Sequence, residues 1–149
     1  MAGCGRQCYI TRMTREPEAP LPGYVVYDPI DPFENGAGPF FWRRDEGGDH
    51  FVFRAEPGHC NTFGVVHGGL LMTLADLTMA ATSKERREDA YITVSFNGEF
   101  VAPGLEGMLI ESRGELVKRT ASMAFVRGRI EADGNTLFVY SGVMKRLRR

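Results

Sequence analysis

The sequence has few cysteines, no excess charge of either sign and no long apolar run. Its cysteines, Cys4, Cys8 and Cys60, are odd in number, and their spacing fits neither a disulfide framework nor a four-ligand zinc site. The 18 basic and 19 acidic side chains leave a formal net charge of -1, so no global attraction to nucleic acid or to an acidic membrane is expected. The most apolar helix-like stretch, residues 70–81, contains Asp76 and is too short to cross a bilayer. Residues 1–20 lack the apolar segment of a signal peptide, and we therefore expect a cytoplasmic protein.

What the chain does contain predicts one globular domain. Its 149 residues, 43% of them hydrophobic, are enough to bury a core without disulfides or metals. Residues 1–38 are rich in proline, glycine and charge, which disfavours a long helix or a central strand there. We predict that they form an extended arm that packs on the body through residues 24–27. Residues 39–149 are predicted to form the single domain.

The periodicity of that domain predicts one helix and several antiparallel strands, an α+β fold. Gly47-Gly48 separates two aromatic runs, as in a hairpin. Residues 67–82 are apolar on nearly every face, which is typical of a buried helix. In the first strand after it, Ile92, Val94, Phe96 and Phe100 alternate with polar residues. Asp133-Gly134 indicates a hairpin between the last two strands. The strands after the helix are predicted at residues 90–101, 107–118, 121–131 and 135–145.

Asp76 and the start of the helix are the features most suggestive of chemistry. Asp76 is the one ionisable side chain between Gly68 and Ser83, and a lone carboxylate on an apolar helix is a better candidate for function than most. A structural ion pair with a distant arginine is the alternative. Gly68-Gly69 leave backbone N–H groups uncovered at the helix N-terminus, where an oxyanion would be stabilised. Taken alone, His67-Gly68-Gly69 is a weak signal and favours a tight turn in which glycine only permits close packing.

Taken together, Asn61, His67-Gly68-Gly69 and Asp76 resemble the signature of the PaaI-like hotdog-fold acyl-CoA thioesterases. The resemblance extends from about Phe40 to the end of the chain. It implies a hotdog fold, in which an antiparallel sheet wraps around one long helix. It also implies a homodimer or a dimer of dimers, and hydrolysis of an acyl-CoA thioester without a separate cofactor or metal, since coenzyme A is part of the substrate.

The resemblance also assigns roles to residues. Asp76 matches the catalytic carboxylate, and Gly68, with Gly69 beside it, supplies N–H groups to the thioester carbonyl. Asn61 would hold the water or the thioester, and His67 would brace the loop. A family Ser or Thr near the carboxylate falls at Thr93, or at Ser95, which strand alternation would place on the same side.

Helix geometry adds an inference that is independent of the family. Asp76 comes eight residues after Gly68, or about 12 Å along the axis, which is too far for both to act on one carbonyl. A twofold dimer that brings the helix start of one chain to Asp76 of the other resolves the gap. Asp76 would then be the general base for a water or would attack directly to give a mixed anhydride, and the sequence leaves both open.

Residues that contact substrate are less well defined by the sequence. Lys118-Arg119-Thr120 resembles a turn that binds the phosphates of coenzyme A, although a solvated turn is equally consistent. Phe63, Met72 and Met79 could line an acyl pocket, but the sequence favours the core for each of them.

Parts of the sequence are also compatible with four other functions. They are a metal site at His59, Cys60 and His67, a hotdog dehydratase using His67, a non-catalytic acyl-CoA sensor, and nucleic-acid binding through the basic tail at residues 145–149. The spacing from Asn61 to Asp76 and the presence of Asp76 itself favour the thioesterase.

Overall fold

The structure, a computed structural model, describes residues 17–27, 31–86 and 88–147. Cys4, Cys8 and Pro29, together with the last two residues of the basic tail, lie outside them. One antiparallel sheet of seven strands, in the order β1-β2-β3-β5-β6-β7-β4, packs against a single long helix. The elements along the chain are β1 (Val25–Val26), α1 (Pro32–Ala37), β2 (Phe41–Asp45), β3 (Gly48–Arg54), α2 (Gly68–Ser83), β4 (Tyr91–Phe100), β5 (Leu109–Arg119), β6 (Met123–Ala132) and β7 (Asn135–Arg146).

The predicted α+β hotdog architecture is confirmed. Five strands, β3 to β7, contact α2, so the sheet curves around the helix as the fold requires. The predicted helix and the four strands after it agree with the observed elements to within two residues at either end. Asp133 and Gly134, with φ angles of +50° and +77°, form the turn between β6 and β7 that their sequence predicts.

The core lies between the inner face of the sheet and one side of α2. Leu74 and Leu77 of the helix are buried there, as are Phe53, Ile110 and Phe138 of the strands. Burying each such side chain stabilises the fold by about 1.5–3 kcal/mol. This packing holds α2 in one orientation relative to β4, which is what positions the candidate site.

Helix α2 is not buried on every face, contrary to its predicted character. Gly69 and Met72 are exposed, and Thr73, Asp76 and Ala80 are half-buried. These residues recur every three or four positions and therefore form one stripe along the helix. The sequence pattern hides the stripe because most of its side chains are small or apolar, and Asp76 lies within it.

Strand β4 departs from the predicted alternation because it contains a β-bulge. Thr93 pairs with Met144 of β7 and Ser95 pairs with Val143, so Val94 is an extra residue between them. The extra residue turns Ile92 and Val94 to the outer side, where both are exposed, whereas Phe96 stacks on Phe138 in the core. Ser95 accordingly lies on the face opposite Thr93, and the prediction that the two share a side is wrong.

The described part of the N-terminal arm packs on the body at two places. Strand β1 extends the sheet beside β2, with Tyr24 buried and the Tyr27 ring edge-on to Phe51 at 5.0 Å. Val25 and Val26 are exposed, so the predicted packing holds for the tyrosines only. Helix α1 is capped by the side chain of Asp31, which accepts hydrogen bonds from the N–H groups of Phe33 and Glu34. The boundary between arm and domain at residue 38 stays a prediction.

Within the described residues, no helix is long and apolar enough to span a membrane.

Candidate active site

The loop before α2 is organised by Asn61. Its side-chain oxygen accepts hydrogen bonds from the N–H groups of Phe63 at 2.9 Å and Val65 at 3.2 Å, and its own N–H donates to the Val65 carbonyl. Gly64, with a φ of +73°, makes the bend that this pattern needs. Since the amide oxygen is occupied, the NH2 end of the exposed Asn61 side chain is left to donate outward.

His67 is the N-cap of α2 and braces the loop, as the family resemblance implies. Its Nδ1 accepts the Gly69 N–H at 3.0 Å, and its carbonyl accepts the N–H groups of Leu70 and Leu71. An accepting Nδ1 places the ring proton on Nε2. The N–H of Gly68 is left without an acceptor in the described part of the chain, so it is available to a ligand.

The two glycines at the helix start are required by close approaches. A Cβ on Gly68 would lie 2.9 Å from the ring of Phe100, and one on Gly69 would lie 3.0 Å from Nδ1 of His67. Larger residues would push the ring or the imidazole away from the helix start. The glycines therefore keep the N–H of Gly68 uncovered, as the sequence predicts.

Asp76 and Thr93 are brought together although they are far apart in the chain. The Thr93 hydroxyl donates a hydrogen bond to Oδ1 of Asp76 and also contacts the sulfur of Met144. A donated hydrogen bond fixes the orientation of the carboxylate and leaves Oδ2 for another partner. Of the two hydroxyls proposed from the sequence, Thr93 therefore lies at Asp76 and Ser95 does not.

Asp76 opens into a cavity of about 330 Å³ between α2 and the arm helix α1. This space, called here the Asp76 cavity, has a largely apolar wall and three carboxylates. Its lining residues are Asp31, Phe33, Glu34, Met72, Thr73, Asp76 and Phe96. A second cavity of about 380 Å³ lies toward the start of α2, where His59, His67 and Gly69 contribute to its wall. Phe33 and Thr73 line both cavities.

Glu34 is a residue of this site that the sequence reasoning missed. Burial is the largest cause that raises its pKa from 4.5 to about 7, with smaller contributions from the carboxylates of Asp31 and Asp76 and an opposing one from the charge of Lys84. The available signal was Asp31-Pro32 followed by Glu34, an N-cap and first-turn pattern that marks the start of a helix. Nothing in the sequence places that short helix next to Asp76.

Arg119 and Lys118 lie at the opposite end of α2 from Gly68. The Arg119 guanidinium donates to the carbonyl of Ser83, the last residue of the helix, and forms an ion pair with Glu85 at 2.8 Å. Such a contact satisfies a free carbonyl at the helix C-terminus. The observed role of Arg119 is thus structural, while Lys118 is exposed. Contact of either residue with coenzyme A stays a prediction.

The three candidate acyl-pocket residues differ in their surroundings. Met79 is fully buried and belongs to the core. Met72 lines the Asp76 cavity. Phe63 is 85% exposed on the loop before α2 and lines neither described cavity. Its ring is available to a ligand or to another chain.

The alternative metal site is not assembled by the described residues. His59 uses Nδ1 to accept the N–H of Glu56, and His67 uses Nδ1 to accept that of Gly69. No three His, Cys, Asp or Glu side chains of residues 17–27, 31–86 and 88–147 converge as metal ligands.

Comparisons with known proteins agree with this fold and with this region of the chain. The model of the Thioesterase superfamily matches residues 63–139. The chain is 33% identical over 109 residues to "Putative esterase PA0474" of Pseudomonas aeruginosa, which covers 71% of this chain and 81% of that protein.

Two solved structures are similar in fold. The PaaI protein from the phenylacetic acid degradation operon of Escherichia coli superposes with a TM-score of 0.72 at 19% identity, covering 80% of this chain and 86% of that one. BH2602 of Bacillus halodurans, solved with CoA, superposes with a TM-score of 0.65 at 22% identity, covering 72% and 74%. From the matching model, the 33% identical relative and the shared architecture, it follows that the chain belongs to the thioesterase superfamily and has its PaaI-like hotdog fold.

Proposed function

We propose that this protein is an acyl-CoA thioesterase in which Asp76 is the catalytic carboxylate. The observation that carries the proposal is the Asp76 carboxylate, which is oriented by Thr93 and opens into the Asp76 cavity. Membership of the thioesterase superfamily supports thioester hydrolysis. The CoA present in the structure of the similar BH2602 supports a coenzyme A ester as the substrate.

Two copies of the chain would be needed to complete each site. Gly68 and Asp76 lie eight residues apart on one straight helix, about 12 Å along its axis, so one carbonyl cannot contact both. In a twofold dimer with opposed α2 helices, the helix start of one chain would face Asp76 of its partner. Each dimer would hold two sites of mixed origin.

The surface around the candidate site is suited to a second copy. Strand β4 is the last strand of the sheet, and one edge of its ten residues has no strand partner among the described residues. Long unpaired edges are normally covered or paired. Exposed apolar residues on or near this strand and the helix start include Phe63, Met72, Phe100 and Val101. Pairing of β4 with its symmetry mate would cover these residues and align the two α2 helices.

The reaction follows from the donors and acceptors at the site. The N–H of Gly68 and the outward NH2 of Asn61 would donate to the thioester carbonyl oxygen and stabilise the oxyanion as it forms. Asp76 of the other chain would take a proton from the attacking water through Oδ2, since Oδ1 is held by Thr93. In the alternative mechanism, Asp76 attacks the carbonyl carbon directly and forms a mixed anhydride that water then cleaves. Isotope labelling would distinguish the two mechanisms.

The shape of the cavity suggests which acyl groups would fit. Phe33, Met72 and Phe96 supply an apolar wall, and the cavity volume of about 330 Å³ lies at the low end for ligand sites. The carboxylates of Asp31 and Asp76 would repel an acyl group carrying its own carboxylate. We therefore propose neutral small, medium-chain or aryl acyl groups as substrates, with Lys118 available to the phosphates of coenzyme A at the exposed end.

The test is thiol release from a panel of short, medium, long, aryl and dicarboxylic acyl-CoAs. We expect the wild type to hydrolyse the neutral compact members and both Asp76→Asn and Asp76→Ala to lose at least about 100-fold in kcat, because they lack the base. Asp133→Asn, in the exposed β6–β7 turn, is the matched control and should retain full activity. A folded wild type that binds acyl-CoAs but releases no thiol would contradict the proposal and favour an acyl-CoA sensor.

A further inference from the structure

The arm helix α1 and its N-cap bring two further carboxyls, those of Glu34 and Asp31, to the Asp76 cavity. The Asp31 side chain and Pro32 start the helix, which sets Glu34 in the cavity wall with Phe33. Asp76 lines the same cavity from α2. Carboxyl groups from two different elements thus face one space, which is the arrangement that enzymes use to divide acid and base roles.

The surroundings of the Asp76 and Glu34 carboxyls differ in the hydrogen-bond donors that they offer. Asp76 accepts a hydrogen bond from Thr93. The half-buried Glu34 side chain has no hydrogen-bond donor among the described residues. The charged groups that act on Glu34 are Asp31 on its own helix, and Asp76 and Lys84 from α2 and its end. Burial and the two acidic neighbours bring its pKa to about 7, so a large share of the molecules hold this carboxyl neutral at neutral pH.

We propose that Glu34 is the general acid of this site and donates a proton to the departing thiolate, an inference that rests on the proposed thioesterase function. Water gives a proton to Asp76 and its oxygen to the carbonyl carbon. When the tetrahedral intermediate collapses, the C–S bond breaks, its electron pair goes to sulfur, and sulfur takes the proton of Glu34. The proton on Asp76 then returns to Glu34 through water in the cavity. One water is consumed, and a carboxylic acid and a thiol are formed.

This role predicts a dependence on the leaving group that a structural role would not produce. Glu34→Gln keeps the size of the side chain but cannot donate an acidic proton. We expect kcat/KM for the best acyl-CoA to fall by about 100-fold, within the usual range for general acid catalysis. For the same acyl group on a nitrothiophenol, whose thiolate needs no proton to leave, the loss should shrink to within about threefold.

The pH profile supplies a second readout. The general acid must be protonated, so kcat/KM of the wild type should fall as pH rises through about 7, the pKa of Glu34. That alkaline limb should be absent from Glu34→Gln, and Glu34→Asp should restore part of the rate on the acyl-CoA. Glu46→Gln, in the exposed β2–β3 turn, is the matched control and should behave as the wild type on both esters.

The outcomes separate this inference from the function on which it rests. If the wild type is active and Asp76→Asn is not, but Glu34→Gln retains the wild-type rate, Glu34 is not the acid and the thioesterase stands. An equal loss on both esters, with Glu34→Gln folded as judged by its melting curve, would also overturn the acid role. If the wild type releases no thiol from any acyl-CoA, the thioesterase proposal itself fails.

Discussion

At the scale of single residues, the candidate site depends on which polar atoms are already hydrogen-bonded within the chain. Nδ1 of His67 accepts the N–H of Gly69, the amide oxygen of Asn61 accepts the N–H of Phe63, and the Thr93 hydroxyl donates to Asp76. What remains free is one N–H, one NH2 group and one carboxylate oxygen. These are the groups that polarising a carbonyl and activating a water require.

Thr93 should therefore act through the orientation of Asp76. Thr93→Val keeps the shape but removes the donor, and we expect kcat to fall about 10- to 100-fold, the equivalent of about 1.5–3 kcal/mol for a hydrogen bond to a charged group. KM should change little, and Thr93→Ser should restore activity. Steady-state kinetics on one acyl-CoA would measure all three.

Ser95 is the natural control for this prediction, because the bulge at Val94 places it on the opposite face of β4. Ser95→Ala should leave kcat unchanged. A loss of similar size in Ser95→Ala and Thr93→Val would show that the hydroxyls act on the stability of the strand and not on Asp76.

At the scale of elements, β4 is held on the core by a stack of aromatic rings. Phe138 of β7 lies 4.7 Å from the Phe100 ring and 6.3 Å from the Phe96 ring, measured between centroids. Gly98 lies against the Phe138 ring, where a side chain would not fit. The element that carries Thr93 is thus aligned by contacts at its other end.

Gly98→Ala tests this packing. The added Cβ would lie 2.2 Å from the Phe138 ring, which is almost fully buried and flanked on both sides, so it has little room to move. We expect the free energy of unfolding, measured by urea titration, to fall by about 1–3 kcal/mol. Gly58→Ala, where nothing lies within 4 Å of the new Cβ, should change it by less than about 0.5 kcal/mol. Equal effects of the two changes would argue against the close fit.

At the scale of the whole molecule, the proposed mechanism requires two chains, because Gly68 and Asp76 of one helix are too far apart to act on one carbonyl. The stripe on α2, the outer edge of β4 and the exposed Phe63 and Phe100 would be covered in the proposed dimer. The proposed dimer therefore has a functional reason beyond covering apolar surface.

Mixing two inactive variants would reveal sites of mixed origin. Asp76→Asn removes the carboxylate side of the proposed site, and Asn61→Ala removes a donor on the helix-start side, which comes from the other chain. A dimer of one variant chain with the other would therefore contain one intact site and one site that carries both substitutions. After unfolding and refolding together, we expect about a quarter of the wild-type activity, because about half of the dimers are mixed. Each variant refolded alone is the control, and no recovery from a mixture of the correct dimer mass would show that both residues act within one chain.

Much of the fold and part of the site follow from the sequence alone. Turn residues and the periods of apolar residues are local signals, which is why α2 and the four strands after it lie within two residues of their predicted bounds. The hotdog fold and the brace at His67 were implied by the family resemblance of Asn61, His67-Gly68-Gly69 and Asp76, and the bare helix start at Gly68 was indicated by its two glycines. Asp76 could be selected as a candidate from the sequence alone, because it is the one carboxylate on an otherwise apolar helix.

Only the tertiary structure decided how distant segments meet. The bulge at Val94 arises from the register between β4 and β7, so alternation within β4 cannot show that Ile92 and Ser95 face outward. The Arg119 guanidinium donates a hydrogen bond to the last carbonyl of α2, and Glu34 lines the Asp76 cavity. Both contacts form because strands and helices separated by dozens of residues pack side by side. Local periodicity carries no information about such contacts, since they depend on how the whole sheet closes around the helix.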